Sequence, residues 1–134
     1  MTGRVTGAAV CGSGTCQGIA LAVGLMLPAL AFAGSADVVA ATAICSANGT
    51  CDFRVTVKHG DEGWEHYADR WEVLSPDGDV LATRVLRHPH VEEQPFTRAL
   101  QAVPVSDSLS EVRIRAHDSV HGLGGQEVTV RLDR

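Results

Sequence analysis

Residues 51–58 (CDFRVTVK), 111–116 (EVRIRA) and 127–132 (EVTVRL) alternate apolar and polar side chains with period two. Successive side chains of an extended chain point to opposite faces, so each stretch predicts a half-buried strand. Three further stretches, 69–74 (DRWEVL), 79–86 (DVLATRVL) and 96–105 (FTRALQAVPV), are rich in Val, Leu and Thr and are parted by turn residues such as Ser75-Pro76-Asp77-Gly78. They predict strands of weaker pattern, and residues 38–44 add a candidate edge strand. No helical period persists for three turns. Six or seven short strands at about ten-residue spacing predict an all-β, immunoglobulin-like antiparallel sandwich, with Trp71 in the place of the tryptophan such sandwiches bury.

Residues 1–33 break this pattern. A single charge, Arg4, precedes Asp37, and residues 18–33 (GIALAVGLMLPALAFA) form an apolar run that ends in Ala31-Phe32-Ala33. A basic start, an apolar stretch and a small-x-small triplet are the layout of an export signal. The run is shorter than the roughly 20 residues of a membrane-crossing helix, contains Pro28 and lacks a following basic stop, so no stable membrane span is expected after cleavage. No cysteine sits at the cleavage site, and no lipid anchor is expected there. The reading is therefore a signal peptide over 1–33 and one β-sandwich domain over 34–134, in a periplasmic or secreted protein.

The chain has 134 residues and a formal net charge of −5. Without residues 1–33 it keeps 101 residues with 10 basic and 16 acidic side chains, hence −6. A phosphate backbone would be repelled by that balance, so nucleic acid is excluded as a partner. Cys45 and Cys51 flank Ser46-Ala47-Asn48-Gly49-Thr50, whose Asn-Gly is a tight-turn signal, and in an oxidising compartment they predict a local disulfide. Cys11, Cys16, Met1 and Met26 all lie in the leader. A metal in the remaining domain would then be held by nitrogen and oxygen.

Histidine supplies the nitrogen. In an antiparallel sandwich alternate connections emerge at opposite poles, so those at 59–68, 88–95 and 117–126 share one pole and the turns at 75–79 and 105–110 the other. His59, His66, His88, His90, His117 and His121 all belong to the first set. Converging imidazoles favour iron, copper, zinc or nickel over calcium or magnesium. Asp61, Glu62, Glu65, Glu92, Glu93 and Asp118 share these connections as oxygen ligands or as acceptors for the rings. A plainer reading stands beside this: His59 continues the inward phase of Val55 and Val57 and would close the core, His117 falls on the opposite face from Val112 and Ile114, and loop histidines are commonly just solvated.

Val57-Lys58-His59, His66-Tyr67, Trp71-Glu72, Leu74, Asp77-Gly78, Val112, Arg115 and His117-Asp118-Ser119-Val120-His121-Gly122-Leu123 together resemble the iron-binding domain of desulfoferrodoxin and superoxide reductase, over roughly residues 55–124. The resemblance implies an immunoglobulin-like sandwich and a ferrous ion held by a plane of histidine nitrogens and an axial cysteine sulfur, with an open position where superoxide is reduced to peroxide. Carried over by position, His59, His66 and His121 are planar ligands. Asp118 stands where the family has its axial cysteine, Ser119 replaces an asparagine, and the family's first histidine has no counterpart in residues 34–58. Asp118, His88 or His90 would complete the sphere, a nitrogen and oxygen set suited to one Fe(II), Cu(II) or Zn(II) ion acting on a small oxygen species.

The chain is also similar to the small sandwich subunit of the periplasmic sulfur-carrier complex, in its early histidine, in Gln94-Pro95-Phe96-Thr97 and in the aspartate at 118. That likeness implies a protein partner and no metal. Glycine-bearing loops at 60–63 and 122–125 open no helix, so a phosphate-cradling role is not expected of them. Ser106, Ser108 and Ser110 lie on the histidine-free pole without a nucleophile elbow, which argues against hydrolytic chemistry. Trp64 in the first histidine loop is a rim aromatic that could also stack on a sugar.

Overall fold

A computed structural model describes residues 34–134; the expected signal peptide lies outside them. Seven strands follow one another: β1 (Asp37–Cys45), β2 (Thr50–Lys58), β3 (Ala68–Leu74), β4 (Val80–Val85), β5 (Phe96–Pro104), β6 (Glu111–Asp118) and β7 (Val128–Arg131). They form two antiparallel sheets, a three-stranded one in the order β1-β2-β5 and a four-stranded one in the order β4-β3-β6-β7. The all-β sandwich read from the alternation is thus the fold, with each strand within two residues of its expected bounds. No helix long and apolar enough to cross a membrane occurs among the described residues.

The inner faces follow the period of two. Cys51, Phe53, Val55 and Val57 of β2 face Val112, Ile114 and Ala116 of β6, and Trp71 and Val73 complete a core with Val38 and Phe96. Trp71 is fully buried. Both inward rows continue past their last apolar residue at one pole, β2 into His59 and β6 into Asp118, and both of these polar residues are buried. That is the step from packing to site: two sheets facing each other across a core also face a histidine with a carboxylate at its rim.

The opposite pole carries the β1–β2 hairpin. Cys45 and Cys51 pair across it as a disulfide, their Cα atoms 4.0 Å apart. The turn between them is set by Asn48, whose Oδ1 accepts from the Thr50 main-chain N–H at 3.1 Å and from its hydroxyl at 2.8 Å, and by Gly49 at φ 87°, a left-handed value that favours glycine. Closing so short a loop restricts the unfolded chain modestly, and removing the bond with C45S/C51S is expected to cost about 2 kcal/mol in urea unfolding while strand content by circular dichroism stays the same. An unchanged urea midpoint would contradict this.

Candidate metal centre

Three connections and the start of β1 meet at the histidine pole. The His59 main-chain N–H donates to Gln94 Oε1 at 2.9 Å, which ties the β2–β3 connection to the one before β5. The two side-chain nitrogens of His59 face in different directions. Nδ1 lies 2.5 Å from Asp61 Oδ1, while Nε2 meets Asp118 Oδ2 and sits 3.2 Å from the Gly34 carbonyl oxygen. His66 enters from the same connection and places Nε2 2.7 Å from Asp118 Oδ2, with Nδ1 3.4 Å from Glu62 Oε2.

Asp118 is held by its own turn. Its Oδ1 accepts main-chain N–H groups of Val120 at 2.6 Å and His121 at 2.8 Å, and Gly122, at φ 74°, closes the turn by exchanging two main-chain bonds with Asp118. A side chain at 122 would strain that turn. With Oδ1 engaged, Oδ2 is left to the imidazoles. Burial alone would raise the Asp118 pKa, but the two N–H donors, the His66 bond and the His59 charge outweigh it and lower it from 3.8 to about 2. Burial likewise opposes charge on His66, yet the bond and the charge of Asp118, with help from Glu62 and the Gly34 carbonyl, raise its pKa above 6.5.

Asp61 is the less visible half of the site. Its buried carboxylate accepts from His59 Nδ1, from the Ala68 N–H at 3.0 Å and from the His90 N–H at 2.7 Å. A neutral imidazole carries one N–H. When that proton is on Nδ1 and donated to Asp61, Nε2 can face Asp118 Oδ2 favourably only with a second proton on the ring or with a cation bound to both atoms. The donor atoms of His59, His66 and Asp118 all lie within 4.8 Å of one another. Two imidazole nitrogens and a carboxylate oxygen, one ring backed by a second carboxylate, form a set that could hold one metal ion and that suits iron, zinc or copper.

The remaining sequence candidates fall in three places. His121 lies beside the group, its ring centroid 5.0 Å from that of His66 and its Nδ1 3.5 Å from Asp118, with 47% of the side chain exposed. Its ring rests against Gly34, where a Cβ would come within 2.9 Å of it. His88 and His90, expected as completing ligands, are not brought into the group: His90 stacks flat on Phe96 with centroids 3.9 Å apart, and His88 follows it at 4.6 Å. His90 therefore meets the centre through its main chain, because its ring is committed to the edge of the core. His117 lies on the outer sheet face, bonded to Asp69 at 2.6 Å. Sequence reasoning gave Asp61 no special rank among the loop carboxylates, although its place two residues after an inward-phase histidine was a usable signal. Gly34 carried none, and Gln94 stood out only in the likeness to the sulfur-carrier subunit.

No known family's sequence profile matches the chain, and no solved structure matches it. A protein of Halomicrobium mukohataei described as "Putative lipoprotein" is 39% identical over 95 residues, which cover 71% of this chain and 46% of the relative. The chain thus spans about half the length of the curated relative it matches.

Asp118 and His66 both shape the pH profile of the metal-free protein. Asp118 contributes stability that is present above 3.8 and lost as pH falls toward about 2, whereas His66 contributes stability present below 6.5 and lost as pH rises through its raised value. Unfolding free energy is expected to fall by about 2 kcal/mol on the acid side from Asp118 alone. In Asp118→Asn that acid limb should flatten; an unaltered profile would show that the carboxylate is not held as described.

Proposed function

We propose that the protein is an exported metal-binding protein in which His59, His66 and Asp118 hold one transition-metal ion, with His121 at hand as a further donor. The carrying observation is His59, whose two ring nitrogens each face a carboxylate oxygen. Export is supported by the Cys45–Cys51 disulfide, which persists in oxidising compartments, and by a relative described as a lipoprotein.

The further reading, resting on the likeness to the desulfoferrodoxin family, is a superoxide-reductase-like site that takes Fe(II), with Zn(II) and Cu(II) accommodated by the same atoms. Bound there, iron would supply a one-electron couple to a small oxygen species, which zinc lacks. The chain's part is to orient the donors. Asp61 fixes the His59 ring with Nε2 turned inward, the Asp118 turn presents one carboxylate oxygen, and the burial of His59 and Asp118 keeps water from their back sides. Asp118 in the place of a thiolate makes a harder and poorer donor, so an oxidoreductase built this way would differ in potential from its thiolate counterparts.

A second reading is a protein-interaction module. It is favoured by Trp64, Val120 and Leu123, which are 68%, 58% and 42% exposed on connections of the histidine pole.

Calorimetric titration with Fe(II) under anaerobic conditions, and with Zn(II) and Cu(II), is expected to give one equivalent. Affinity should rise with pH, and continue to rise above 6.5 because the metal must displace the proton that His66 holds. Asp61→Asn should weaken binding by about 10–100-fold, the usual effect of losing the carboxylate behind a ligating histidine. Failure to take up any of the three ions would leave the interaction module. Superoxide consumption by the iron-loaded protein no faster than by free iron would confine the role to binding.

A further inference from the structure

The two seams of the sandwich are closed differently. At one, β1 lies along β7 and the Val38 N–H donates to the Gln126 carbonyl at 2.9 Å. At the other, the edge strands β4 and β5 leave a cavity of about 160 Å³ lined by Arg84, Arg87, His88, His90 and Arg98. Three of the protein's arginines thus line one small cavity in a chain of net charge −5.

Their counter-charges do not balance them. Arg98 is paired with Glu93 at 3.0 Å and lies over the Phe96 ring. Arg84 and Arg87 have no carboxylate partner among the described residues, and Arg84 Nε is buried without any hydrogen-bond partner. His90 is more telling. Its side chain is 3% exposed, and neither ring nitrogen has a hydrogen-bond partner. The nearest carboxylate, Asp61, stands 4.0 Å from Nδ1 and is already engaged by His59 and two main-chain N–H groups. Buried polar groups are normally satisfied, so unpartnered donors on residues that line a cavity point to an acceptor there.

We propose that this cavity binds a tetrahedral oxyanion of the phosphate or sulfate type. Three guanidinium groups less the Glu93 charge leave about two positive charges, matching a dianion, and guanidinium forks present paired N–H donors to such oxygens. A neutral His90 adds one N–H donor; burial, together with Arg98 and His88, lowers its pKa and keeps it neutral. The volume lies well below the roughly 300 Å³ at which pockets for drug-sized organic ligands begin, so a small anion is the fitting occupant. A cation, which the same histidines would otherwise invite, is repelled by the arginines. The proposal is independent of the metal reading.

The test is titration of the purified protein, metal-free and metal-loaded, with inorganic phosphate and with sulfate at constant ionic strength set by chloride. Saturable binding of one equivalent is expected in both forms. R84Q/R87Q should weaken it at least about tenfold, the effect of losing charge-assisted hydrogen bonds. His90→Phe, which keeps a ring against Phe96, should weaken binding without lowering the thermal midpoint, so a loss there is not a loss of fold. Signals no larger than for chloride, affinity unchanged in R84Q/R87Q, or binding that vanishes on removal of metal would each overturn the assignment. Acetate binding as tightly as phosphate would overturn its tetrahedral character.

Discussion

One buried carboxylate ties the two sheets together at the working end of this molecule. Asp118 ends the inward row of β6, has no exposed side-chain surface, and receives the Nε2 atoms of two histidines that enter from the connection after β2. A buried charge is costly unless it is paired and hydrogen-bonded. Here one oxygen is satisfied by the local turn and the other is reserved for groups from across the sandwich. The position of the β2–β3 connection, the orientation of His59 and the anchoring of His90 through Asp61 all follow from meeting that requirement and its mirror at Asp61.

The site is layered accordingly. The outer layer is main chain: N–H groups of residues 68, 90, 120 and 121 fix two carboxylates. The carboxylates then fix two imidazoles. What remains is a pair of ring nitrogens and one oxygen whose mutual arrangement is set by both sheets at once, so the donors are preorganised by the same packing that forms the core. Such a site is rigid where it faces the core and open where His121 and the Trp64 loop face solvent.

Much of this could be read from the residues, and the reason is the strictness of the period of two. The rows Cys51, Phe53, Val55, Val57 and Val112, Ile114, Ala116 announce both inner faces, and strand reversal then sends the connections bearing histidine to one end. His59 was recognisable as inward for the same reason. The same count carries β6 from Ala116 to Asp118, so the facing of His59 and Asp118 was implicit in two alternations read together. His88 and His90 were harder to place. They sit beyond the end of β4, where no period constrains direction, and it is the flat face of Phe96 that captures the ring of His90. A preference between stacking and ligation is a property of neighbours in space, and spacing along the chain does not encode it.

The cystine of the first hairpin sits at the far end of β2 from His59, eight residues along one extended strand. At about 3.3 Å per residue that is roughly 26 Å, several times the distance over which exposed charges sense each other in physiological salt. The sulfur–sulfur link carries no charge, so breaking or forming it places none near the imidazoles. The domain is insulated lengthwise, with its covalent clasp and its chemistry at opposite ends of a dry hydrocarbon interior, and each end is free to diverge without retuning the other.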